Sequence, residues 1–356
     1  TVSLPITVIT ARMAKSSFPK SPCFTHFFII PYFSRAVIEE SGRKYASRQA
    51  KNLSLLRGKK GENRIVPREK LWYTANRCYF LEKERERYSM RYVDFHMHTS
   101  ASGDSQAPIR SMLDASAALG LEAVAITDHC DVNGYREEGY DKTLMQSWRE
   151  SGEVQAEYAG RLRIARGIEL GEPLFDLAES ERILRDHAFD FVLGSMHKLD
   201  DTDYYFYDYT HRDIGLEMDR YFDAVYDMIA WGKFHSLAHL TYPFRYMPAD
   251  RRPVGYARWQ ERIDRLLRLL AEKGLALEIN TSGMRSPGVR SMHPDLPLVR
   301  RFRELGGELI TVGADAHRPE DVGTYIPEAV EVAREAGFRY IAVYFGGKPE
   351  MIPIEG

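Results

Sequence analysis

Cysteine is scarce in this 356-residue chain: Cys23, Cys78 and Cys130 are the only three. Three scattered thiols cannot build a disulfide framework, and they point to a reducing compartment, the cytoplasm. Long apolar runs are missing as well. The most hydrophobic stretch of the N-terminal part, "CFTHFFIIPYF" (23–33), contains Pro31 and falls short of the roughly 20 residues that a membrane-spanning helix needs. The basic start, apolar core and small-residue cleavage site of a secretory signal are not seen in that order. No Gly-rich phosphate fingerprint follows the first strand-like run of the C-terminal part, which counts against a dinucleotide fold. Cys130 has no C-x5-R context, so it reads as a small buried apolar residue and not a nucleophile.

Aspartate is absent from residues 1–89, which carry 18 Lys/Arg and 7 Asp/Glu, while residues 90–356 carry 31 basic and 44 acidic groups. A net +11 beside a net −13 argues against one folded unit. Residues 1–89 also lack sustained helical or alternating periodicity, and "RGKKGENR" (57–64) reads as a solvated linker. The expectation is a basic extension over 1–89 outside the functional fold, either an over-extended translation start or an appended tail. The working domain is then 90–356, beginning at Met90. A nucleic-acid-binding arm is the competing reading of the basic segment, but its aromatics are not interleaved with its cations.

What is abundant after Met90 is a strand–helix alternation. Strand-like runs occur at 92–98, 122–129, 161–169, 189–197, 234–240, 275–282 and 307–317, with an eighth candidate at 338–345. Between them lie amphipathic segments such as 107–120, 258–274 and 297–307, each closed by glycine. Seven or so β–α units imply a parallel sheet, most economically closed into a barrel; an open doubly wound sheet is the alternative.

Ten of the eleven histidines lie after residue 90, and six of them (His96, His98, His129, His197, His239 and His317) fall at the ends of the predicted strands. Asp128, Glu169 and Asp315 occupy comparable positions. Catalytic groups of β/α barrels gather at the C-terminal strand ends, so these residues converge on one mouth. His-x-His on a strand turns both imidazoles to one face, where they can share one ion at about 2.0–2.1 Å if it is zinc. Each piece alone is weak, since a strand-end glutamate is usually a loop-edge charge. The convergence is not.

"DFHMHTSASGD", "ITDH", "GIE", "GSMH", "AHL" and "GADAH", in that order, resemble the polymerase-and-histidinol-phosphatase (PHP) superfamily. "HLTYPFRYM" (239–247), "EINTSGMR" (278–285) and "GFRYIAVYFGGKPEMIPI" (337–354) resemble its histidinol-phosphatase branch. The resemblance implies a distorted (β/α)7 barrel with a trinuclear centre of divalent ions (zinc, manganese or iron). It implies a first ion on His96, His98, Glu169 and Asp315, and a second on Glu169, His197 and His239. A third would sit on Asp104, His129 and His317, the carboxylate of Asp104 favouring manganese or iron over zinc. Asp128 is expected to support a ligand rather than be one. The implied reaction is hydrolysis of the phosphate monoester L-histidinol phosphate, in histidine biosynthesis, releasing inorganic phosphate. The nucleophile would be a metal-bound hydroxide held by Glu169, Asp315 and His197, with no phosphoenzyme. Arg245, Arg285 and Lys198 are the candidate phosphate contacts, and the aromatic run 204–209 reads as loop packing. Two rivals remain. A PHP-type nucleotide phosphatase or exonuclease would be expected to have a net-basic domain, and a non-catalytic metal-stabilised module would be expected to have lost ligands.

Overall fold

The computed structural model describes residues 92–200 and 202–354. The expected extension 1–89 lies outside the described residues.

Seven strands form one continuous parallel sheet. In the order of the sheet they are β1 (Val93–Asp94), β2 (Ala123–Ile126), β4 (Arg163–Gly171), β5 (Phe191–Ser195), β8 (Ser236–Leu237), β9 (Ala276–Asn280) and β10 (Ile310–Gly313). The sheet then closes on itself. Phe95 donates its N–H to the Val312 carbonyl at 2.9 Å and Asp315 donates to His96 at 2.8 Å. Met97 and Ala316 form a parallel bridge. Runs such as "AVAI" and "ALEIN" are buried along their whole length, as strands covered on both faces must be.

The helices are amphipathic with their apolar stripe inward. On α5 (Gln260–Glu272) the buried positions are Ile263, Leu266, Leu267 and Leu270, the i, i+3, i+4, i+7 spacing of one helical face. The helices α1 (Ile109–Ala118) and α7 (Leu296–Glu304) occupy the other two segments that the periodicity marks. The 18-residue α2 (Tyr140–Glu157) and α4 (Ile214–Trp231) were not marked. Asp213 caps the latter by accepting the Leu216 N–H at 3.2 Å, and Gly232 ends it at a φ of 69°, the left-handed turn glycine adopts without strain.

Two departures from the sequence reading matter. The run 122–129 is broken at Thr127–Asp128: β2 pairs with residues 163–166 of β4, and a short β3 (His129–Asp131) pairs with 169–171. The eighth strand candidate exists as β11 (Tyr340–Phe345), but it pairs antiparallel with β12 (Lys348–Pro353) in a separate hairpin and adds no barrel stave. Among the described residues no helix is long and apolar enough to cross a membrane.

Candidate metal centre

The C-terminal strand ends bring His96, His98, His129, Glu169, His197, His239, Asp315, His317 and Asp104 together, every residue the sequence reading singled out as a ligand. Around a tetrahedral ion with ligands at about 2.0–2.1 Å, neighbouring donor atoms lie ~3.4 Å apart. The first set has that spacing. His96 Nε2 is 3.1 Å from His98 Nε2 and 3.3 Å from Glu169 Oε2. Asp315 Oδ1 is 3.3 Å from His98 Nε2 and 3.8 Å from His96 Nε2. Glu169 turns its other oxygen to the second set. Oε1 is 3.1 Å from His197 Nε2 and 2.8 Å from His239 Nε2, and those two nitrogens are 3.4 Å apart. One carboxylate thus faces two cages, one per oxygen. The third set is more open: Asp104 Oδ2 is 2.8 Å from His317 Nε2 and 3.5 Å from His129 Nε2. Asp104 is half exposed, whereas Glu169, His96 and His98 are fully buried.

The donor set fits cations. The imidazole nitrogens turned into the sets face carboxylate oxygens, as His129 Nδ1 faces Glu169 Oε2 at 2.9 Å, and the buried His239 Nδ1 has no hydrogen-bond partner, which is costly unless something else meets it. Burial opposes charge on Glu169, yet His96, His129 and His197 outweigh it and hold its carboxyl well below the usual carboxylate range. Burial likewise disfavours charged His96, but Glu278, Glu169 and Asp315 win and raise it well above an ordinary imidazole. The cage therefore draws positive charge to itself. His98 goes the other way: burial, then His317 and His129, push it down to about 3, so at neutral pH its ring is uncharged and free to ligate.

Supporting residues surround the cages, and sequence reasoning missed most of them. His98 Nδ1 meets Ser102 Oγ at 3.1 Å and His197 Nδ1 lies 3.5 Å from Asp131 Oδ1. Buried Asp94 accepts the N–H groups of Ala314 (2.8 Å) and Gly323 (2.9 Å), fixing the segment that carries Asp315. Glu172 accepts from the His197 and Lys198 backbone at 2.5 and 3.0 Å. Asp128, as expected, is not in a cage; it accepts from Thr99, Ser102 and Ser147. Backbone strain concentrates here too, with Glu172, His239 and Asp315 at φ of 47°, 22° and 53°. Non-glycine residues adopt such angles only where the surroundings impose them. An ionisable residue inside an apolar strand, as in "ALEIN" or "YVDFH", is the sequence signal that could have found Glu278 and Asp94.

The three candidate phosphate cations differ. Arg245 reaches the mouth, with Nη1 3.4 Å from Asp315 Oδ2 and 2.9 Å from Ser282 Oγ. All three guanidinium nitrogens of Arg285 are engaged: Nε lies 3.4 Å from Asp321 Oδ1, and the others donate to Thr324 Oγ1 and the Asp315 carbonyl. Lys198 Nζ lies 3.2 Å from Asp131 Oδ2. Of the aromatic run, Tyr204, Tyr207 and Tyr209 are buried packing as expected, while Tyr205 and Phe206 are exposed. Tyr205 touches Tyr246, which touches Tyr242, whose ring is 5.0 Å from His197.

The family model of the PHP domain matches residues 94–282. The histidinol-phosphatase of Lactococcus lactis subsp. lactis (strain IL1403) is 31% identical over 264 residues, covering 73% of this chain and 96% of the relative. A Thermotoga maritima protein named "Probable histidinol-phosphatase" is 29% identical over 260 residues, 70% of this chain and 95% of that one. Among solved structures, histidinol phosphate phosphatase from Lactococcus lactis, complexed with zinc, L-histidinol and phosphate, superposes with a TM-score of 0.65 at 28% identity, covering 74% of this chain and all of that one. A Listeria monocytogenes structure at 18% identity and a TM-score of 0.57 shares the fold. The chain belongs to the PHP domain family and, within it, to the histidinol-phosphatase branch.

Proposed function

We propose that this chain hydrolyses L-histidinol phosphate to L-histidinol and inorganic phosphate with the help of divalent ions. The observation that carries the reading is Glu169, fully buried, with one oxygen in each of two adjacent ligand sets. His96, His98, Glu169 and Asp315 would hold a first ion, and Glu169, His197 and His239 a second. Asp104, His129 and His317 would hold a third, for which manganese or iron suits the carboxylate better than zinc. Such ions supply Lewis acidity, lowering the pKa of a coordinated water and neutralising phosphoryl oxygens.

The chain's own residues do the rest. Arg245 presents guanidinium donors at the mouth, where they can pair with phosphate oxygens. Arg285 fixes Asp315 through its carbonyl, and Lys198 keeps a cation beside Asp131 and His197. Removing Arg245 as Arg245→Ala should lower kcat/KM by about 10²–10³-fold, the cost of losing one donor aimed at developing charge. Lysine there should restore only part of it, because it lacks the planar fork. Arg285→Ala should cost less than about tenfold, since all three of its guanidinium nitrogens are engaged, whereas the contacts of Arg245 to Ser282, Ser286 and Asp315 use only Nε and Nη1. Steady-state kinetics on the three variants checks the ranking, and equal losses for Arg245→Ala and Arg285→Ala would contradict it.

The setting that suits such an enzyme is the cytoplasm, with histidine biosynthesis as its role, residues 90–356 as the catalytic unit and 1–89 outside it. A polyanionic nucleic acid is disfavoured by the net −13 of residues 90–356. The test is phosphate release by the metal-replete chain from L-histidinol phosphate, nucleoside 5′-monophosphates and single-stranded DNA. Turnover of the first alone is expected, and a clear preference for nucleotides would sink the reading.

A further inference from the structure

We propose that Glu278 is a positioning residue shared by the first and second ligand sets, holding the ring of one histidine and the backbone of another with a single carboxylate. The inference rests on the ligand assignment above. Glu278 sits on β9, inside the barrel wall, and is 1% exposed, so water cannot stand in for its contacts. Its Oε1 is 2.7 Å from His96 Nδ1. Its Oε2 accepts the backbone N–H of His239 at 2.8 Å and the Asn280 side-chain amide at 3.2 Å. His96 turns Nε2 toward His98 and Glu169, which leaves Nδ1 to carry the hydrogen and to require an acceptor.

Both oxygens of Glu278 therefore face donors. Only a carboxylate can accept on each; an amide would oppose one N–H with its own. The His239 N–H it receives belongs to a residue at a φ of 22°, so the same hydrogen bond secures a backbone turn that sets where His239 Nε2 points. Room for the contact comes from Gly313 on β10. A Cβ there would stand 2.3 Å from His96 Cβ and 2.5 Å from Glu278 Oε1, distances no side chain tolerates. Asp94 and Glu172 also accept backbone N–H groups at ligand-bearing strand ends, but neither reaches the ring of a second ligand.

The test is Glu278→Gln in the full chain, with zinc affinity measured by chelator competition and bound zinc counted by mass spectrometry. Two ions should weaken by about 10- to 100-fold, the usual cost of losing a partner behind a ligand, while the ion on Asp104, His129 and His317 is spared. Equal weakening of all three, as a merely structural role would give, or no weakening of any, overturns the proposal. A second measurement needs no variant. In the zinc-loaded chain labelled with 15N-histidine, His96 should show a slowly exchanging, downfield proton on Nδ1. An Nδ1 without a proton overturns the proposal while leaving the ligand assignment standing. If the unaltered chain binds no zinc, the ligand assignment itself falls and this inference with it.

Discussion

Glu169→Gln should lower kcat/KM for L-histidinol phosphate by at least about 10⁴-fold, about 5 kcal/mol of transition-state stabilisation. The size follows from position. Glu169 is the one carboxylate placed in both buried ligand sets, with Oε2 against His96 and His98 and Oε1 against His197 and His239. Glutamine keeps the volume but removes the charge and replaces one oxygen with an amide nitrogen that cannot ligate. One of the two sets loses its oxygen donor, and the five histidines around Glu169 (His96, His98, His129, His197 and His239) lose the carboxylate that balances whatever cation they hold. Steady-state phosphate release, read beside bound-metal analysis, checks it. Activity within tenfold of the unaltered chain would mean that the two-cage reading of Glu169 is wrong.

Chelation should have an effect on stability that grows with pH. An ion at about 1,000 times its dissociation constant adds about 4 kcal/mol, and for a domain of this size each kcal/mol moves the melting temperature by about 2–4 °C. Each ion removed should therefore lower it by about 8 °C or more. The metal-free chain has its own pH dependence, and its sign can be worked out. Glu169 and Asp315 are held well below ordinary carboxyl values by the histidines, burial notwithstanding. Their contribution is present above the unfolded value of 4.5 for Glu169 and is lost as pH falls through the folded one. His96, His129 and His197 are raised well above 6.5 by those same carboxylates against burial. Their contribution is full below 6.5 and fades as pH rises through the raised values. The metal-free chain is thus most stable between those limits and weakens toward alkaline pH. The metal-loaded chain does the opposite, because protons compete with ions for the same nitrogens. The gap between the two melting curves should widen from pH 6 to pH 8, and differential scanning calorimetry with and without EDTA measures it. A gap independent of pH would contradict the coupling of proton and metal at these histidines.

The barrel and the residues that gather at its mouth were readable in the sequence because both come from local, periodic signals. Parallel strands buried on two faces show as apolar runs, and a ligand at the end of such a run stands out by its chemistry. His96, His98, His197, His239 and Asp315 all announced themselves in that way. What was hidden depends on contacts between distant segments. Glu278 reaches His96 across 182 positions and Asp94 reaches Ala314 across 220, and nothing local encodes either partner. The break that makes β3 was also hidden, since "AVAITDHC" is a single β-like run; the contacts that accompany it, Thr127 with Met97 and Asp128 with Thr99, Ser102 and Ser147, join distant segments. Arg245 and Arg285 looked equivalent, each a cation after a strand. Their difference appears only once the partners of Arg285 around Asp321 and Thr324 are known.

Anomalous diffraction from crystals of the metal-loaded chain tests the account at its centre. The account predicts two peaks flanking the Glu169 carboxylate, one beside His96, His98 and Asp315 and one beside His197 and His239, with a third beside Asp104, His129 and His317. A single peak that leaves one oxygen of Glu169 without an ion would contradict it.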